Sequence, residues 1–184
     1  KESAQPGYYA VNLPSADVQL SVSHRTALHS YAFVEDNTEP HLLLDIGHGL
    51  GNGKVLDASI DYDPEIEAWS GSLYYDGEMS EPFWMHFHLR FEEAPQSWGY
   101  WLDDEFIDGV EQVTTSNEDG AHIGVWFEFQ PQDLAQLRVA LSAVDTNGAR
   151  NNWETEHQGW TIGEEKERAE EVWRTFFDRI QLSG

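Results

Sequence analysis

From the first residues to about position 144, apolar and polar positions alternate with a period of two, interrupted by Gly, Pro, Asn and Asp. That alternation is the mark of strands that bury one face and wet the other. Tyr9, Val11 and Leu13 share one face before Pro14, and Val18, Leu20 and Val22 share the next. The pattern recurs over 29–34, 42–46, 55–62, 66–74, 83–91, 100–103, 106–113, 122–129 and 137–144, so it predicts about ten strands. Most connections are too short to hold a crossover helix, which excludes parallel pairing and predicts hairpins assembled into an antiparallel β-sandwich.

After Asp145 the period lengthens. Ala169, Val172, Trp173, Phe176, Phe177 and Ile180 recur at helical spacing and predict a C-terminal α-helix over about 164–179. Its apolar stripe is expected to pack on the sandwich. Thr161 with Glu164 three residues later predicts a capping box at its start, and 150–156 predicts a short helix before it. The fold class expected is therefore mostly β, with a sandwich over 1–160 and a terminal helix, opening a linker, over 161–184.

Composition narrows the partners. The 184 residues, 40% hydrophobic and 24% charged, suit one folded domain with a two-layer core. Thirty-four acidic and 10 basic residues leave a formal net charge of −24, which repels nucleic acid and anionic membrane alike. Cysteine is absent, so there is no disulfide framework and no thiolate chemistry. No apolar run is long enough to span a bilayer. The start at Lys1 is read as that of an excised piece of a longer protein. Eight Trp residues exceed what core filling needs, which fits sugar stacking or a large interface.

Candidate chemistry concentrates on 83–91. Phe83, Met85, Phe87, Leu89 and Phe91 point one way, and Trp84, His86, His88 and Arg90 the other. Two imidazoles on one side of a strand, with Glu92 and Gly99 beyond, resemble part of the first metal motif of cupins and would suit a divalent first-row metal. The leading glycine of that motif and a second motif are missing, and His122 is the one spare ligand. The competing reading needs no metal: a hydrogen-bonded face beneath a loop or another domain. Paired carboxylates are too numerous to single out any pair, and no nucleophile elbow, phosphate-cradling loop or His-Glu-x-x-His occurs. The glycine-rich loop 47–53 fits tight turns and an interface.

Several segments read together resemble a known family. Residues 6–11 (PGYYAV), 25–33 (RTALHSYAF), 42–48 (LLLDIGH) and 139–152 (VALSAVDTNGARNN), with Gly159-Trp160 and the helix carrying Glu170, Trp173 and Arg179-Ile180, are similar to the N-terminal domain of glycoside hydrolase family 92. That family comprises calcium-dependent exo-acting α-mannosidases. The resemblance implies a sandwich of the supersandwich type, covalently linked to an (α/α)6 catalytic barrel that carries the catalytic acid and base and the calcium ligands. It implies that this chain itself holds no catalytic residue and no cofactor, that the whole protein acts on α-mannosides or mannose-containing glycans, and that it is secreted or periplasmic. His48 then becomes structural or interface-forming. Trp69 becomes a candidate for the cleft between domains, with core packing as the equal alternative. At 69–74 (WSGSLY) the sequence departs from the family pattern, so no sugar-contacting role carries over there.

Three functional readings follow. The first is a non-catalytic domain that completes the cleft of a mannosidase, with His48, Trp69, Trp84, His86, His88 and Arg90 at a carbohydrate or domain interface. The second is an independent carbohydrate-binding module. The third is a cupin-like metalloenzyme centred on His86 and His88.

Overall fold

The computed structural model of the chain describes residues 1–77 and 81–179; Ile180, expected on the helical stripe, lies outside the described residues. In chain order the strands are β1 (Glu2–Gln5), β2 (Tyr8–Asn12), β3 (Ala16–Val22), β4 (Thr26–Phe33), β5 (His41–Asp45), β6 (Lys54–Asp63) and β7 (Ala68–Asp76). There follow β8 (Phe83–Phe91), β9 (Ser97–Leu102), β10 (Glu105–Ile107), β11 (Gln112–Ser116), β12 (Ile123–Glu128) and β13 (Leu134–Ser142). Two helices close the chain, α1 (Thr146–Glu156) and α2 (Ile162–Phe177). A nine-stranded antiparallel sheet runs β1-β2-β3-β4-β13-β8-β7-β6-β11, and a four-stranded sheet runs β10-β9-β12-β5.

The period-two pattern sorts side chains into layers. In the large sheet Trp69 sits opposite Leu89, and Leu137 opposite Phe91. These meet Tyr100, Ile123, Val125 and Phe127 from the inner face of the small sheet in one buried core. The other face of the large sheet is covered by helices: α1 packs on β13 and β8, and α2 on β3 and β4. The molecule is thus a sandwich with a third, helical layer.

Two strands escaped the sequence pattern. β1 (ESAQ) carries no apolar alternation; it forms because Pro6-Gly7 turns the chain back, pairing Gln5 with Tyr8 while Gly7 takes φ of 78°. A side chain at Gly7 would also start 2.5 Å from Ala169 Cβ, so α2 packs closely on this turn. The segment 106–113 is two strands in different sheets, β10 on β9 and β11 on β6, because Gly109 at φ of 71° breaks the run.

The helices depart from expectation more. α1 begins at Thr146, four residues before the predicted start, because Asp145 caps it by accepting from Gly148 N at 2.6 Å. At Thr161 no side-chain cap bond forms. Instead the first turn of α2 is held by a buried ion pair: Arg138, fully buried in β13, donates to Glu165 Oε2 at 2.8 Å, Thr26 Oγ1 at 2.9 Å and Gly159 O at 3.1 Å. Arg168 donates to the same Glu165 oxygen at 2.9 Å. The expected packing of Val172, Trp173, Phe176 and Phe177 on the sandwich is corrected. Glu165 and Ala169 are buried, but these four are 42%, 43%, 51% and 58% exposed, because the helix passes the β1–β2 turn and runs beyond the sheet.

Candidate functional site

The outer phase of β8 falls into two parts according to what covers it. His88 is 2% exposed and shares a 2.8 Å hydrogen bond between Nδ1 and Ser70 Oγ on β7. Above it lies α1, whose Trp153 meets the His88 ring edge-on at 6.0 Å and lies 5.1 Å beneath the Arg90 guanidinium carbon. Burial, aided by the charges of Arg150 and Arg90 and opposed by Glu154 and Asp63, lowers the His88 pKa to about 4. His157, stacked on Trp153 at 4.4 Å, is also lowered, by burial and then by Arg138 and Arg90. These imidazoles are neutral near pH 7 and packed. Of the two histidines expected to form a hydrogen-bonded face beneath a loop or another domain, His88 is hydrogen-bonded and its cover is α1, whereas the Nδ1 of His86, like that of His157, is buried without a hydrogen-bond partner.

Toward the start of β8 the helix no longer reaches. His86 stacks on Trp84 at 6.3 Å and 17°, its Nδ1 buried with no partner, and Trp84 meets Tyr74 at 5.1 Å. Trp84 is 42% exposed. Trp84, His86 and Tyr74 therefore make an open aromatic corner, and it is the part of the predicted set that faces outward.

The remaining candidates lie elsewhere. Trp69 is 1% exposed, ringed by Tyr62 at 4.8 Å, Phe127 at 4.9 Å, Trp98 at 5.4 Å and Phe91 at 5.8 Å. It is a core residue and cannot line a cleft, which corrects that expectation: it points to the inner face, opposite Leu89 on β8. His48 is exposed on the loop between β5 and β6. That loop is tied to the large sheet by Tyr75, which donates to Leu50 O at 3.3 Å and whose ring meets Phe83 at 5.8 Å. His48 and the Trp84 corner thus belong to one end of the large sheet, although Phe83 and Trp84 take opposite faces of it.

Among the described residues no three His, Asp or Glu side chains come together so as to hold a metal ion. With His88 Nδ1 engaged by Ser70 and no third ligand converging, the cupin-like reading has no coordination set.

The residues that sequence reasoning missed are those of the cover: Trp153, Asn152 and Ala149 are the buried positions of α1. Their i, i+3, i+4 spacing was visible in the chain. Asn152 donates to Leu141 O at 2.7 Å, and Glu156 accepts from Ser23 Oγ at 2.6 Å and from Arg25 Nε at 2.8 Å, which fastens α1 at its middle and at its C-terminal end.

Comparison with known proteins gives a consistent picture. The family model of the glycosyl hydrolase family 92 N-terminal domain matches residues 1–142. Among solved structures, the family GH92 α-mannosidase BT3965 from Bacteroides thetaiotaomicron superposes with a TM-score of 0.86 at 18% identity, over 100% of this chain and 25% of that one. The gh92 family glycosyl hydrolase ccman5 gives 0.84 at 19% identity, over 100% and 25%. The family GH92 inverting mannosidase BT2199 from Bacteroides thetaiotaomicron VPI-5482 gives 0.81 at 20%, over 100% and 24%. This chain therefore spans about a quarter of the length of the structures it matches. No curated protein matches it.

Proposed function

The chain belongs to the glycosyl hydrolase family 92 N-terminal domain family, and from that premise we propose that it is the non-catalytic β-sandwich domain of an α-mannosidase, built to pack against a larger catalytic domain and complete its active-site cleft. The observation that carries the proposal is the far half of α2. Val172, Trp173, Phe176 and Phe177 form a contiguous apolar stripe on α2, and the fold leaves each of them roughly half exposed. Burying one such side chain fully is worth about 1.5–3 kcal/mol, so a stripe of this size is an interface in want of a partner.

In this reading the open corner of Trp84, His86 and Tyr74, with His48 at the same end of the large sheet, contributes to the cleft. Arg90 and His88, further along the same strand, are engaged by Trp153 of α1. α-Mannosides are the substrate class of the whole protein, a choice supported by BT3965, a relative whose fold this chain shares and which has been solved in complex with mannoimidazole. Calcium, the acid and the base belong to the partner domain, and the whole protein is secreted or periplasmic. Inversion would require two carboxylates roughly 6.5–9.5 Å apart around a water, and the Trp84 corner is built of aromatic rings and imidazole.

The purified chain, assayed on an aryl α-mannoside with and without calcium, is expected to show no turnover. Turnover that follows the main protein peak through every column would overturn the reading.

A further inference from the structure

The outer face of the small sheet carries a second aromatic surface, built on a different principle from the Trp84 corner. In the strand β12 (IGVWFE), Ile123, Val125 and Phe127 fill the core, so Trp126 stands in the outward phase. In β9 (SWGYWL) the same alternation turns Trp98 and Tyr100 inward and Trp101 outward. Register then pairs each outward Trp with a glycine: Trp101 lies opposite Gly124, and Trp126 opposite Gly99. A β-carbon on Gly124 would collide with the Trp101 ring, and one on Gly99 would fall 2.7 Å from Trp126 Cζ2. Both indoles therefore lie down across the sheet, each over the bare backbone of its neighbour.

Shielding a glycine backbone accounts for the face of each ring that meets the sheet. The opposite face of each ring turns away from the sheet, and both residues remain partly exposed. Phe106, opposite Trp101 on β10, is 76% exposed, and Leu43, opposite Trp126 on β5, is 66% exposed, so the pavement continues to both edges without a cover. It spans three strand spacings of about 4.8 Å, roughly 14 Å in all. Its rim bears acceptors: Asp45 opposite Gly124, Glu128 two residues from Trp126, and Asp108 beside Gly99.

We propose that this pavement of Trp101 and Trp126 is a binding face for a neutral glycan, separate from the cleft to which the Trp84 corner contributes. Flat, partly exposed indoles match the apolar C–H faces of pyranose rings, and the carboxylates of the rim accept from sugar hydroxyls. A protein partner of ordinary shape would be met by protruding side chains, whereas here the two protruding positions are glycine. The net charge of −24 excludes anionic polymers. The length admits roughly two or three sugar rings, so the ligand is a chain and not a monosaccharide. The proposal stands on the small sheet alone and does not require the mannosidase reading.

The test uses this chain as it is. Tryptophan fluorescence and calorimetric titration against soluble mannan, manno-oligosaccharides, a mixed β-glucan and dextran are expected to show saturable binding of at least one, with heparin showing none. Trp101→Ala and Trp126→Ala should each weaken it about tenfold or more, the scale of one ring-stacking contact. Phe106→Ser, on a side chain too exposed to disturb the fold, should weaken it severalfold, while Val144→Ser, on a side chain 80% exposed and outside both aromatic surfaces, leaves it unchanged. Absence of binding to the whole panel, equal binding to heparin, or affinity that survives both Trp→Ala and Phe106→Ser overturns the proposal. Loss in Trp84→Ala alone would move the glycan to the other face and equally refute it.

Discussion

The two halves of α2 differ in what they turn toward the sheet and in how far they are buried: Glu165 and Ala169 in the first half, Val172, Trp173, Phe176 and Phe177 in the second. In the first half Ala169 is buried against the Gly7 turn, and Glu165 is locked to Arg138 in the sheet. In the second half Trp173 is still grazed by that turn, its Cδ1 3.4 Å from where a Gly7 side chain would start, and Phe176 and Phe177 are 51% and 58% exposed. The large apolar side chains begin only after Ala169, where burial gives way to exposure. An apolar helical face thus says that something covers it without saying what, and here the cover within the chain reaches only halfway.

The comparison can be broken most forcefully at its anchored half. Arg138→Ala leaves Glu165 buried with only the half-exposed Arg168, and should cost about 3–5 kcal/mol in a denaturant melt. The joint replacement Arg138→Met with Glu165→Leu removes both charges and should recover most of that. If the single change costs under about 1 kcal/mol, the ion pair is not what seats the helix.

Acid gives the next effect. His88 and His29 have folded pKa values of about 4, both lowered first by burial, below the ordinary value of 6.5. Between those values the unfolded chain binds more protons than the folded one, so stability rises with pH in that window. It should be flat above about pH 6.5 and fall progressively toward pH 4, and His88→Asn should flatten part of that slope. A melting temperature unchanged from pH 7 to 4.5 would contradict the neutral, covered histidine.

Trp173→Ala, half-buried against the Gly7 turn, should cost about 1 kcal/mol, well short of the 3–5 kcal/mol of a fully buried Trp. At the free end, Phe177→Ser should stay within about 0.5 kcal/mol of the parent while reducing the binding of a hydrophobic dye. A large loss at Phe177 would mean the far half is docked after all.

What was legible in the chain follows the same division between local and distant causes. The alternation marked nearly every strand and the inner and outer phases of β8, because a side chain's face in a strand is set by its neighbours alone. β1 was invisible because its pairing is dictated by the Pro6-Gly7 turn and not by its own side chains. Thr161 looked like a cap, yet α2 is held by Arg138, and no spacing rule links position 138 to 165. The candidate face was half right for a related reason: Trp84, His86, His88 and Arg90 do share one side of a strand, but α1 decides which of them remain available. Trp69 could be sorted between core and cleft only once Tyr62, Trp98 and Phe127 were seen to enclose it.

The central claim, that the far half of α2 awaits a larger domain, is tested most directly by covalent surface footprinting of Trp173 and Phe176. Labelling would be compared between this chain and the longer protein that the family's architecture assigns it to, with Phe106 on the small sheet as the internal reference. The account predicts strong labelling of both residues in the isolated chain and loss of most of it in the longer protein while Phe106 stays unchanged. Equal labelling of Trp173 and Phe176 in the two would contradict it.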